Sequence, residues 1–204
     1  MPGLKAAACF AAVLSSMLLL MSAPPRYFVP LTFASTSVML AAAVLQGFRP
    51  PLRLPGRRAL AAGALSAAAL YLAFLAGNAG VKALHPLGVG AADENAIYSL
   101  IASPGNPLYL QGAVLFFDAA GYESYFRGSL QPRARARLGP LAPAGVAALD
   151  AAIHVATLNP LWVATTFVAD LAWGLTYQRA GGLPASFTSH LLWDVAIFVL
   201  LPIR

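Results

Sequence analysis

The chain has 204 residues, of which 59% are hydrophobic and 10% charged, with a formal net charge of +6. Soluble domains usually carry about a quarter charged residues, and the mean hydropathy here is +0.72. These values exclude a water-soluble globule, a disordered chain and a coiled coil. They also exclude a nucleic-acid binder, because the arginines sit in short stretches between apolar runs, where an excess of positive charge sets membrane orientation. The lone Cys9 excludes an intramolecular disulfide and any multi-cysteine metal site.

Apolar runs of membrane length occur at 6–23, 28–47, 59–80, 107–128, 143–158, 160–179 and 184–203. The fifth is short for a span and reads as tilted or partly re-entrant. The first resembles a signal peptide, with Lys5 ahead of an apolar stretch ending in Ser22 and Ala23. However, Met21 is a poor residue three before the cut, and Pro24-Pro25 follows it directly. The first run is therefore expected to be a retained span. Pro107 and Pro160 follow Asn106 and Asn159, the pattern of an N-cap with proline at the first helical position, and Pro143 and Pro184 open two further runs.

The expected fold is an all-α, polytopic membrane helical bundle of about seven transmembrane helices. Residues 1–85 would supply three accessory helices, 86–106 an extracytoplasmic loop and 107–204 a four-helix catalytic core. The connection from about 81 to 106 holds Lys82, His85, Asp93 and Glu94. With the amino terminus inside, the inner segments carry Lys5, Arg49, Arg53, Arg57, Arg58, Arg133, Arg135, Arg137 and Arg179. The outer ones carry Arg26, Lys82 and Arg204. This bias predicts a multi-pass protein of the plasma membrane with a cytoplasmic amino terminus and an extracytoplasmic carboxy terminus.

Of the 7 acidic residues, Asp118, Glu123, Asp150, Asp170 and Asp194 lie inside apolar runs, as do His154 and His190. Each such charge costs roughly 2.5–3.5 kcal/mol on insertion scales, so partners and a purpose are expected. All five carboxylates fall in the last four runs. At about 1.5 Å of rise per residue from the cytoplasmic ends, Glu123, Asp150 and His190 lie roughly 9–10 Å deep, and His154, Asp170 and Asp194 roughly 15–16 Å. One shared layer predicts a polar cavity open to the inner face. Within it, Glu123 and Arg127, Asp150 and His154, and His190 and Asp194 are each i, i+4 pairs on one helix face.

The stretch Gly121-Tyr122-Glu123-Ser124-Tyr125-Phe126-Arg127-Gly128 resembles the first motif of the CPBP family, the CAAX proteases and bacteriocin-processing enzymes also called Abi proteins. That motif is two glutamates, three residues and an arginine, commonly ending Phe-Arg-Gly. Asp150-Ala151-Ala152-Ile153-His154 stands where the family has Phe-x-x-x-His, and His190-Leu191-Leu192-Trp193-Asp194 matches its His-x-x-x-Asn/Asp motif. The segment Trp173 to Leu183 looks like the family's small-residue helix and following turn. The resemblance covers about 107–203. Two positions depart from it: Tyr122 replaces the first glutamate, which the family uses to activate water, and Asp150 replaces the usual phenylalanine.

The resemblance implies an intramembrane endopeptidase that hydrolyses a peptide bond of a membrane-associated protein or peptide near the cytoplasmic face. Glu123 is the candidate general base and His154 holds the same water or shuttles its proton. His190 and Asp194 face the developing oxyanion, or Asp194 orients His190. Arg127, Asp150 and Tyr122 support them, and Asp150 is placed to serve as the second carboxylate. Asp118 and Asp170 read as packing or hydrogen-bonding residues. No metal is expected, because the helical His-Glu-x-x-His pattern is absent, although two histidines with Glu or Asp could hold zinc with an open position for water. Tyr122 motivates a second reading, an inactive relative acting as an immunity or scaffold protein. A third, a small proton-coupled transporter, fits less well because the first three runs lack buried charge.

Overall fold

The computed structural model describes residues 2–50, 55–84 and 107–203. Alanine- and leucine-rich stretches with few polar side chains satisfy their backbone hydrogen bonds within a helix, as a lipid environment demands. The elements in order are α1 (Pro2–Ser22), α2 (Phe28–Leu45), α3 (Arg57–Leu84), α4 (Leu108–Tyr122), α5 (Gln131–Leu138), α6 (Ala142–His154), α7 (Pro160–Arg179) and α8 (Leu183–Val195). No strand occurs among the described residues, so the bundle is all-helical as expected. Between α4 and α5 the helix widens to i→i+5 bonding over Glu123–Leu130, and it does so again after α8 over Ala196–Leu200. Such π-type turns are rare and occur frequently at functional sites.

By length and composition, five helical runs can cross a membrane: Gly3–Ser22, Pro25–Leu45, Arg57–Ala83, Leu108–Thr157 and Leu183–Leu200. The fourth, of 50 residues, joins two of the expected spans through the turn at Gly139, where φ is +53°. The α7 helix, which carries Pro160, three threonines and Asp170, does not qualify. Two boundaries are corrected. Lys82 belongs to the last turn of α3 rather than to a loop. Arg133, Arg135 and Arg137 are helical residues of α5, and Arg133 donates to the carbonyl of Gln46 at 2.7 Å and of Ser129 at 2.6 Å, tying α5 to the end of α2. His85, Asp93, Glu94, Asn106 and the proposed 86–106 loop lie outside the described residues.

The Asn159 cap forms as its sequence implies, with Oδ1 accepting from the backbone N–H of Trp162 at 2.9 Å. Contacts of α1 with α2, α2 with α4, α3 with α8 and α6 with α7 hold the bundle together. Small residues let the helices approach closely. A Cβ added at Gly63 would lie 2.6 Å from the carbonyl oxygen of Ala185, and one at Gly121 would lie 2.5 Å from Cγ2 of Thr36. Ser66 Oγ stands 2.6 Å from Thr176 Oγ1 and accepts from Ser189 Oγ at 2.9 Å, linking α3 to α7 and α8. The first three helices contribute no buried acid or base, but they are packed into the same body as the charged ones.

Candidate active site

The buried charges of α4, α6, α7 and α8 meet in one layer. Arg127 is fully buried on the π-type turn. Its guanidinium donates to Asp170 Oδ1 through Nη2, and the same nitrogen reaches the Asp170 carbonyl at 3.0 Å. Gln131 Oε1 lies 3.4 Å from Nη1. Glu123, expected to be the arginine's partner from its i, i+4 spacing, is more distant, with 3.7 Å between Arg127 Nε and Glu123 Oε2. A charge this deep is tolerable only when paired and hydrogen-bonded, and Asp170 supplies both.

Tyr122 is hydrogen-bonded through its hydroxyl to Asp150 Oδ2 and lies 2.7 Å from Asp170 Oδ1. It therefore bridges α6 and α7 at the level of the arginine. A single hydroxyl carries one proton, so it donates to one carboxylate and needs a proton from the other to close both contacts. Asp150 Oδ1 has no hydrogen-bond partner among the described residues.

His154 Nδ1 is 3.0 Å from the carbonyl oxygen of Asp150 and 3.6 Å from its carboxylate. The i, i+4 spacing thus yields a bond to the backbone rather than the expected side-chain pair. Because a carbonyl only accepts, this bond puts the proton on Nδ1 and leaves Nε2 free in the neutral ring. His190 Nδ1 contacts Glu123 Oε1 at 3.0 Å, and its Nε2 faces Asp194 Oδ2 at 3.4 Å. Trp173 stacks on the imidazole with centroids 3.5 Å apart and planes 13° from parallel, which fixes its orientation.

A cavity of about 390 Å³ adjoins this layer, and Asp118, Tyr122, Asp150, His154, His190 and Asp194 all line it. Glu123 does not; it is 1% exposed and sits behind His190. The remaining wall is apolar and comes partly from α1, α2 and α3, through Met21, Phe28, Phe74 and Val81 among others. By charge counting this lining lies toward the outer side, whereas the sequence predicts an opening toward the inner face. Leu20 and Met21 end α1, Phe28 and Thr32 begin α2, Asn78 and Val81 end α3, and Leu161 begins α7. Charge counting assigns these helix ends to the outer side. On the opposite side of the layer, buried Tyr125, Phe126, Arg127 and Gln131 fill the space.

Sequence reasoning therefore brought Tyr122, Asp150, His154, His190 and Asp194 to one cavity, and placed Glu123 one residue behind it. Asp170, read as a packing or hydrogen-bonding residue, is the main hydrogen-bonding partner of Arg127, whereas Asp118, read the same way, is a wall residue of the cavity one helical turn before Tyr122. The i, i+4 relation of Asp118 to Tyr122 was the available signal for the second.

Residues 104–196 match the family model of the Type II CAAX prenyl endopeptidase Rce1-like proteins. This segment belongs to the Rce1-like CAAX protease family. The Rce1-like segment contains every charged group of the layer. Comparison with curated proteins and with solved structures gave no significant match. A protease-family segment among several apolar helices makes this a membrane-embedded multi-pass protein.

Proposed function

We propose that the chain is an intramembrane endopeptidase acting on a membrane-associated protein or peptide. The observation that carries this reading is the meeting of Asp150, His154, His190 and Asp194, from two helices of the Rce1-like segment, on one apolar-walled cavity. Hydrolysis needs a base, a site for the oxyanion and room for an extended chain within a largely dry environment. A cavity of this size is within the usual range for ligand sites.

In this reading Asp150 takes the water-activating role that the first glutamate of the motif would have had. Its Oδ1 makes no hydrogen bond with the other described residues, and Tyr122 holds its other oxygen. His154, one turn further along α6, keeps Nε2 available to relay the proton from the attacking water to the departing amine nitrogen. His190 and Asp194 stand toward the carbonyl oxygen, and a protonated His190 donates to the developing negative charge. Glu123 is a positioning residue that holds the imidazole of His190 through Nδ1. With the amino terminus in the cytoplasm, the substrate reaches the polar layer from the outer side of the bundle rather than from the inner face.

The hydroxyl of Tyr122 closing on both Asp150 and Asp170 favours a second reading, an inactive relative in which this tyrosine seals the carboxylates. The two are separated by placing the purified protein in liposomes with apolar peptides and detecting fragments by mass spectrometry. Fragments from wild type that are absent with Asp150→Asn and His154→Ala support hydrolysis. Their absence from wild type supports the sealed form.

A further inference from the structure

We propose that a second cavity, between α5 and α7, binds the headgroup of an anionic lipid, a phosphodiester bearing hydroxyls as in phosphatidylglycerol. The inference goes beyond the peptidase reading and does not depend on it, since this cavity lies beyond Gln131, on the filled side of the charged layer. Its volume is about 280 Å³, and Gln131, Pro132, Arg135 and Ala136 of α5 line it together with Tyr177 and Gln178 of α7. A water occupies roughly 30 Å³, so the space admits a phosphate with an attached polyol. The floor is held in place: Gln131 is 1% exposed, donates through Nε2 to the Gly174 carbonyl at 2.9 Å and accepts from Arg127. The wall carries uncommitted polar groups. The guanidinium of Arg135 makes no ion pair or hydrogen bond with the other described residues, and it stands near enough to Tyr177 to act on the phenol electrostatically. A guanidinium beside a phenol suits the oxygens of a phosphodiester, the first of them in bidentate fashion. Gln178 Oε1 is buried without a hydrogen bond to the other described residues. An unmet buried acceptor calls for a donor, which a bare phosphodiester lacks and a headgroup hydroxyl supplies.

The surroundings of the cavity favour a lipid. Arg57, Arg58, Arg137 and Arg179 are exposed, as Arg135 is. A Cβ added at Gly181, two residues after Arg179, would lie 3.4 Å from the Cα of Ala59, so the start of α3 and the end of α7 share one end of the bundle. Every described acidic residue is buried or half-buried, and none pairs with these arginines. Charge counting assigns this end to the inner side, where the leaflet surface is negative and basic pockets between helices hold anionic headgroups. Orientation alone asks only for arginines near the inner helix ends. It requires neither a polar cavity between two helices nor an unmet oxygen in its wall. Leu138 and Leu141, 46% and 69% exposed, follow the arginines of α5 and offer acyl chains an apolar surface beside the headgroup. A free phosphate makes no use of that surface.

The test uses the full chain purified in a non-ionic detergent and stripped of lipid. Short-chain phosphatidylglycerol and phosphatidylcholine are titrated separately, and native mass spectrometry counts the lipids retained. The proposal expects one phosphatidylglycerol per chain, held about tenfold or more tightly than phosphatidylcholine, and a rise in thermal stability with the anionic lipid alone. Arg135→Gln and Tyr177→Phe should each weaken its binding about fivefold or more. Arg137→Gln removes the same charge outside the cavity lining and should leave affinity within about twofold of wild type. Glycerophosphoglycerol, the headgroup alone, should displace the lipid at lower concentration than inorganic phosphate does. Equal displacement by inorganic phosphate would assign the site to a free anion and overturn the lipid. Equal losses with Arg135→Gln and Arg137→Gln would mean diffuse attraction and overturn the cavity as the site. No preference between the two lipids overturns the proposal and leaves the basic face to an acidic protein; this comparison uses wild type and stands if a variant fails to fold. Peptide cleavage enters none of these measurements, so failure here is distinct from failure of the peptidase reading.

Discussion

Arg127 and Asp170 form the buried ion pair of the bundle, with the guanidinium donating to both the carboxylate and the backbone carbonyl of the same residue. This pair fixes α7 against the π-type turn that follows α4, and Tyr122, the last residue of α4, reaches Asp150. The geometry of the candidate site is thus set by a residue that is absent from the sequence motifs.

Removing one member of that pair strands the other in an apolar interior. Arg127→Met and Asp170→Leu are each expected to cost about 3–5 kcal/mol, whereas the double variant should lose clearly less than the sum, because each single change strands the other member of the pair. Thermal unfolding in detergent, followed by helical circular dichroism, measures this. Additive losses in the double variant would contradict the pairing.

Gly121 adjoins Thr36, so Gly121→Ala forces α2 and α4 apart. The expected loss is about 1–3 kcal/mol, the usual range for overpacking. Thr36→Ala removes Cγ2, the nearest atom at 2.5 Å, but leaves the Thr36 backbone oxygen at 3.0 Å. The double variant should therefore recover part of the loss in the same unfolding experiment, and no recovery would place the strain elsewhere.

Tyr122→Phe deletes a hydroxyl shared by Asp150 and Asp170. A loss of about 1–3 kcal/mol is expected for leaving buried acceptors unmet. Cleavage should stay within about tenfold of wild type, because the hydroxyl positions Asp150 without acting on substrate. Complete loss of cleavage with folding intact would assign the hydroxyl a direct part in the reaction.

Glu123 contacts His190 but not the cavity. Glu123→Gln still offers an oxygen to Nδ1–H and should reduce cleavage less than Glu123→Leu, whereas Asp150→Asn should lower the rate about 10²–10⁴-fold, the range for loss of a general base. Rates measured in liposomes on one peptide rank the three. Equal, complete loss with Glu123→Gln and Asp150→Asn would return the base to Glu123.

Much of this arrangement was legible in the chain itself. Hydrophobic length located the helices, asparagine–proline pairs marked starts such as Asn159, and five carboxylates confined to the last four runs identified the charged unit. Three features were not legible. The i, i+4 count finds Glu123, 3.7 Å from Arg127 Nε, but gives no sign of Asp170, the closer partner 43 residues along the chain. The depth estimate placed the groups in one layer but carried no information on which side of it is filled, and Phe126 and Gln131 decide that by packing. The first three helices lack buried charge and read as accessory, yet Met21, Phe28 and Phe74 wall the cavity, a contribution that requires only apolar side chains.

The most direct test of the account is comparative proteomics of membranes from cells carrying the wild-type chain or Asp150→Asn at equal abundance. Hydrolysis at this cavity predicts at least one new peptide terminus, from a membrane-associated protein, that is present with wild type and lost with Asp150→Asn and with His154→Ala. Identical sets of termini in all three would contradict it.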